Sequence, residues 1–161
     1  DDMNNWIAKT LLQPKYLLAI TETYFKSPGD DIYANGPVSY LKMDELPQGN
    51  DYSDIIQTLR DGDYFVTSGE VLIPSVEYDI DGANSSVVAE VSWTFPLDFV
   101  EVVYGDGENT FYETISARDL PPFDETVFTL PFDATEKYWV RFAAWDSAGN
   151  GAVTMPIRIN N

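Results

Sequence analysis

From Tyr64 to the C-terminus, apolar and polar residues alternate in short runs, and this period of two constrains the fold more than any other feature of the sequence. Turn pairs such as Asp81-Gly82 and Asp106-Gly107 separate successive runs. The spacing predicts a mainly β chain with an immunoglobulin-like β-sandwich of about seven strands. The predicted strands are Val76 to Ile80, Val87 to Phe95, Val100 to Tyr104, Thr110 to Ser116, Thr126 to Phe132, Tyr138 to Trp145 and Ala152 to Ile159.

A different pattern precedes the alternating region. Apolar residues at helical spacing predict a helix from Asn5 to Gln13, and a buried strand follows at Tyr16 to Ile20. The segment Ser27 to Asn50 is rich in Pro, Gly and Asp and indicates an ordered loop, after which Asp51 caps a second helix that Gly62 ends. We therefore predict a small α/β segment over residues 1–63 and the sandwich over residues 64–161.

The composition excludes several classes of function. The sequence has no His and no Cys, which removes the imidazole base of serine and cysteine hydrolases, disulfides and the commonest zinc ligands. Asp and Glu number 27 against 9 Lys and Arg, and the net charge of -18 argues against nucleic acid as a partner. No run approaches the ~20 apolar residues of a membrane span.

Because the chain begins at Asp1, without a start signal, and lacks Cys, we expect a processed chain or a fragment of a secreted or periplasmic bacterial protein.

The predicted strand Tyr138 to Trp145 carries two tryptophans and an arginine on one of its faces. The core face would consist of Tyr138, Val140, Phe142 and Ala144. Trp139, Arg141 and Trp145 would then point outward, where they could cover a neighbouring domain or stack on a sugar ring. If the two faces are reversed, both tryptophans belong to the core.

Carboxylates offer few candidates for a metal site. Glu22 follows the predicted buried strand, a position that faces a ligand crevice in α/β folds, although a role in ordering a loop or capping a helix is favoured for a lone carboxylate. The segments Gly105 to Asn109 and Asp146 to Gly151 look like calcium loops, but local Asp and Asn hydrogen bonds and Gly explain both better as turns. The other acids are spread along the chain, which is typical of a solvated surface.

One continuous segment resembles a known family. The run from Leu59 to Pro74 reads Leu-Arg-Asp-Gly-Asp-Tyr-Phe-Val-Thr-Ser-Gly-Glu-Val-Leu-Ile-Pro. It is similar to a late segment of metallohydrolases of the PHP (polymerase and histidinol phosphatase) superfamily, carbaryl-hydrolase-like branch, in which a helix ending in Arg-x-Gly leads into a Phe-Val-Thr strand. The run Tyr138 to Ile159, with Trp145-Asp146 and Met155-Pro156-Ile157, resembles the small β domain that ends such proteins.

The resemblance implies a catalytic barrel upstream that binds a divalent metal through His and Asp. Where a late strand of that barrel carries Ser-Asp-x-His, this sequence has Thr21-Glu22-Thr23-Tyr24, so Glu22 could replace the aspartate but Tyr24 supplies no imidazole. We therefore expect a non-catalytic C-terminal part of a PHP-like hydrolase, without a cofactor of its own, whose partner is the missing N-terminal barrel. The alternatives are an immunoglobulin-like module that binds carbohydrate or protein, and a purely structural spacer.

Overall fold

The computed structural model of this chain describes Tyr16 and residues 36–159. In chain order, its helices and strands are β1 (Val38–Leu41), α1 (Ser53–Asp61), β2 (Tyr64–Thr67), β3 (Val71–Asp79), a 3₁₀ turn (Gly82–Asn84), β4 (Ser85–Trp93), β5 (Leu97–Gly105), β6 (Thr110–Ser116), β7 (Asp124–Phe132), β8 (Trp139–Asp146), β9 (Gly151–Thr154) and β10 (Ile157–Arg158). The predicted helix Asn5 to Gln13, Glu22 and all of the predicted strand Tyr16 to Ile20 except its first residue lie outside the described residues.

The strands form two antiparallel sheets. The larger has the order β1-β2-β9-β8-β5-β6, with β10 also paired to β8, and the smaller has the order β3-β4-β7. After the β3-β4 hairpin the chain crosses to the larger sheet for β5 and β6, returns for β7, and crosses again for β8 and β9. This exchange between sheets is the Greek-key arrangement of immunoglobulin-like sandwiches, so the predicted fold class is confirmed.

The hydrophobic core lies between the two sheets. Every second residue of β4 points inward, as the alternating pattern predicts, and meets the inward residues of β5 and β8. The indole N–H of Trp93 donates to the carbonyl of Pro121 at 2.9 Å, which satisfies its one polar group. The central core residues are Val87, Ala89, Val91, Trp93, Val100, Val102, Leu130, Val140, Phe142 and Ala144.

The helix α1 forms where the sequence predicts it, but its N-cap residue is Tyr52 and not Asp51, and Tyr52 makes no side-chain cap hydrogen bond. Asp51 Oδ1 accepts hydrogen bonds from the backbone N–H and the hydroxyl of Ser53, at 3.0 and 2.7 Å, and so supports the first turn. Gly62 ends the helix with a positive φ of 75°, the conformation that glycine adopts most easily. Among the described residues, no helix has the length and apolar character needed to cross a membrane.

Three details differ from the sequence prediction. Val38–Leu41, expected to be loop, forms β1 because it finds a partner in β2, even though its own residues show no sustained pattern. Tyr138, expected in the core, precedes the first residue of β8 and is 42% exposed. The predicted strand Ala152 to Ile159 is split into β9 and β10, since Pro156 has no N–H to continue the ladder.

At the split, a side chain replaces the missing backbone pair. The hydroxyl of Thr154 accepts from the Phe142 N–H at 2.9 Å and donates to the Phe142 carbonyl at 3.2 Å. The ladder of β8 with β9 ends at Val153, and β10 rejoins the same edge of β8 at Ile157. β8 is therefore held along its length despite the interruption.

The core position of Phe142 yields a direct stability test. Phe142 is fully buried, so Phe142→Ala should lower the free energy of unfolding by about 3–5 kcal/mol through lost burial and a residual cavity. Phe123→Ala makes the same change at a side chain that is 81% exposed and should stay within about 0.5 kcal/mol of the parent. Denaturant unfolding of the full chain measures both, and equal losses would contradict the core assignment.

Candidate functional site

The larger sheet has a second buried surface, on the side that points away from the smaller sheet. We call this side the outer face. In β8, Val140, Phe142 and Ala144 join the core, while the residues between them lie on the outer face. The central residues of the outer face are Tyr64, Val103, Trp139, Arg141, Ala143 and Val153, with Glu101 and Trp145 beside them.

The outer face is buried at its centre. Trp139 is only 4% exposed and Arg141 only 1% exposed. A two-layer sandwich normally leaves its outward side chains in water, so burial of both is unusual for this architecture. Trp139 and Arg141 are thus buried, as expected for side chains that cover a neighbouring part of the protein, whereas Trp145 is half-buried.

Each outer-face tryptophan lies over a glycine on a neighbouring strand. Gly105 is opposite Trp139, and Gly151 is opposite Trp145. A Cβ added to Gly105 would lie 2.5 Å from Trp139 Nε1, and one added to Gly151 would lie 2.4 Å from Trp145 Cε3. The indole rings therefore occupy the space above the two glycines, an arrangement that compensates for the missing side chains in a sheet.

The polar groups of the outer face centre on Glu101. The indole N–H of Trp145 donates to Glu101 Oε1 at 3.0 Å. Burial lowers the pKa of the Arg141 guanidinium, and the nearby charge of Glu101 acts in the opposite direction. An arginine remains protonated in a protein, so Arg141 is a buried positive charge in this sheet. The carboxylate near it is that of Glu101, which accepts the hydrogen bond from Trp145.

A residue from the N-terminal part of the chain reaches the edge of the outer face. The hydroxyl of Tyr16 donates to the carbonyl of Asp61 at 3.1 Å, and its ring meets Tyr64 edge to face with 6.5 Å between the ring centres. A Cβ on Gly62 would lie 2.6 Å from Tyr16 Cζ, so the absence of a side chain there permits this contact. Tyr16 thus contacts the sandwich at the junction of α1 and β2.

Neither acidic turn shows a metal site. Asp146 Oδ1 accepts from the N–H groups of Ala148 and Asn150, at 2.9 and 2.8 Å. Asp106 Oδ1 accepts from Glu108 and Asn109, and the backbone bond from Asn109 contributes most to lowering the pKa of Asp106. Both segments are turns, as predicted. Within residues 36–159 and Tyr16, no three Asp, Glu, His or Cys side chains are grouped so that they could hold a metal ion.

Sequence reasoning missed a cleft at one edge of the sandwich, between the two sheets. Its volume is about 300 Å³, and parts of the chain that are distant in sequence line it. Tyr40 and Phe65 stack in its wall with 5.2 Å between ring centres, and the Tyr78 hydroxyl lies 3.0 Å from Thr154 Oγ1. The one local signal is Pro74 within β3, where the register shifts between Leu72 and Ser75.

Comparisons with models of known protein families, with curated proteins and with solved structures found no match to this chain.

The contact of Trp139 with Gly105 can be tested by adding one methyl group. Gly105→Ala should displace the indole and lower the free energy of unfolding by about 1–3 kcal/mol, although alanine suits a strand better than glycine. In the Trp139→Ala background the added methyl has no ring to displace, so the same change should cost much less. A double-mutant cycle by denaturant unfolding measures this coupling, and independent, additive effects would contradict the contact.

Proposed function

We propose that this chain is the non-catalytic C-terminal part of a PHP-like metal-dependent hydrolase, in which the sandwich braces the catalytic barrel through its outer face. The observation that supports this most directly is the burial of Arg141 and Trp139 on a sheet surface that a free-standing sandwich would leave in water. An immobilised, desolvated arginine and tryptophan are the residue types that mark the centres of interfaces.

The indole N–H of Trp139 adds to this argument. It is buried, and it has no hydrogen-bond acceptor among the described residues. Leaving such a donor unsatisfied costs about 1–3 kcal/mol, so an acceptor from another part of the protein would stabilise the outer face. The contact of Tyr16 with Tyr64 also supports the proposal, since it places one residue from the N-terminal part at the edge of the same face.

The hydrolase assignment of the parent protein rests on the resemblance of Leu59 to Pro74. In the structure this run comprises the end of α1, the turn at Gly62, all of β2 and the start of β3. The helix-turn-strand geometry is compatible with the resemblance, in which a helix ending in Arg-x-Gly precedes a Phe-Val-Thr strand. A divalent metal would activate water in the upstream barrel. Glu22 is the one candidate ligand in this sequence, and we assign no catalytic step to any residue of this chain.

The alternative is an immunoglobulin-like module of an exported protein that binds carbohydrate or protein. The half-buried Trp145 and the exposed Tyr112 of β6 leave aromatic surface at the margins of the outer face. The two functions differ in what covers the centre of that face. In a bracing domain, another part of the same protein covers the centre of the outer face. In a binding module, a separate partner molecule covers it.

The proposal is tested by comparing the full chain with a chain of residues 36–161, which keeps every described strand. We expect Trp139→Ser to lower the unfolding free energy of the full chain by about 3–5 kcal/mol, because it empties a buried interface. In the shortened chain the loss should fall below about 1 kcal/mol, since the residue then faces water.

Phe142→Ala is the matched control, because its cavity forms between the two sheets and should cost the same in both chains. An equal loss for Trp139→Ser in both chains would show that the outer face is not covered by the upstream part, and the bracing function would then be rejected.

A further inference from the structure

The cleft at the edge of the sandwich combines an apolar wall with an opposed pair of charges at its mouth. Lys42 and Asp63 extend the pairing of β1 with β2, because the Lys42 N–H donates to the Asp63 carbonyl at 3.0 Å. They therefore lie directly opposite each other, on the same side of the sheet as the stacked rings of Tyr40 and Phe65. All four residues line the cleft.

The two charges are available to a ligand. Both side chains are exposed, and the structure shows no salt bridge between them. Lys42 and Asp63 thus offer an ammonium group and a carboxylate side by side without neutralising each other by direct contact. A ligand that carries both a carboxylate and an ammonium group would match this pair.

The wall and floor of the cleft suit a ring. Ile73, Val76 and Ile157 add aliphatic surface to the lining of the cleft. At the floor, burial raises the pKa of the Tyr78 hydroxyl to about 12, so this group stays neutral. The hydroxyl is hydrogen-bonded to Thr154, and the apolar part of the cleft therefore contains a satisfied, uncharged polar group. The volume of about 300 Å³ is at the lower end of the range for small-molecule sites.

The net charge of the whole chain narrows the choice of ligand further. At -18, the protein repels any molecule with a net negative charge and attracts cations to many places on its surface. A zwitterion has no net charge, so its binding depends on the local pair of Lys42 and Asp63 rather than on the overall field.

We propose that this cleft binds a small zwitterion with an apolar ring, such as a free aromatic amino acid, with its carboxylate at Lys42, its ammonium group at Asp63 and its ring against Tyr40 and Phe65. Lys42, Asp63, Tyr40 and Phe65 line the cleft from the side of the sheet opposite the outer face, although Tyr64 borders both, and the inference does not rest on the bracing function.

The test titrates the isotope-labelled full chain with L-phenylalanine and follows backbone amide shifts by NMR. We expect saturable shifts confined to the cleft residues, with a dissociation constant of about 1 mM or lower. 3-Phenylpropionate lacks the ammonium group and should bind at least about fivefold more weakly, because one charged contact is lost and the net charge is unfavourable. Phenethylamine lacks the carboxylate and should give scattered shifts without saturation in the cleft.

Variants at the mouth separate the charged contacts from simple ring burial. Lys42→Gln and Asp63→Asn should each weaken L-phenylalanine binding by about fivefold. Arg60→Gln and Asp54→Asn make the same charge changes on exposed positions of α1, outside the cleft, and should leave binding unchanged.

The absence of shifts in the cleft at about 10 mM L-phenylalanine would overturn the site. Equal binding of L-phenylalanine and 3-phenylpropionate, insensitive to Lys42→Gln, would overturn the charged recognition.

Discussion

The position of β8 in the larger sheet is the constraint on which the rest of the structure depends. It pairs with β5 along one edge and with β9 and β10 along the other, and both of its faces are buried. Phe142 anchors the core between the sheets on one face, and Arg141 with Trp139 occupies the opposite one. A strand with two buried faces belongs at the centre of three layers, whereas the sandwich supplies only two. A third layer over the outer face is therefore needed, and the proposed bracing function would supply it.

The neighbouring strands are adapted to this arrangement. Gly105 and Gly151 leave room for the two indole rings on the outer face. Glu101 holds the Trp145 indole and provides a countercharge for Arg141, which limits the cost of burying a guanidinium. Where Pro156 interrupts the ladder, the Thr154 hydroxyl accepts a hydrogen bond from the Phe142 N–H of β8. The two glycines, Glu101 and Thr154 are spread over the sequence, but each of them contacts a residue of β8.

Much of the fold could be predicted because its signals are local. Alternation in β4 and β8 identifies strands and their inward residues, and Asp51 and Gly62 mark the ends of α1. β1 could not be found in this way, since its only support is its pairing with β2. For the candidate site, alternation separates Trp139 and Arg141 from the core face but says nothing about what covers them. The cleft is invisible in sequence because Lys42, Tyr78 and Ile157 meet only after folding.

Solvent access to the outer face is the most direct measure of whether it is a covered interface. Hydroxyl-radical footprinting with mass spectrometry gives the oxidation rate of each aromatic residue in the native chain relative to the same residue in the urea-unfolded chain. We expect native Trp139 to be strongly protected and Tyr112, which is 65% exposed, to be oxidised nearly as fast as in the unfolded chain. Oxidation of Trp139 at an unprotected rate in the native full chain would contradict burial of the outer face, and with it the proposed role of the sandwich as a bracing domain.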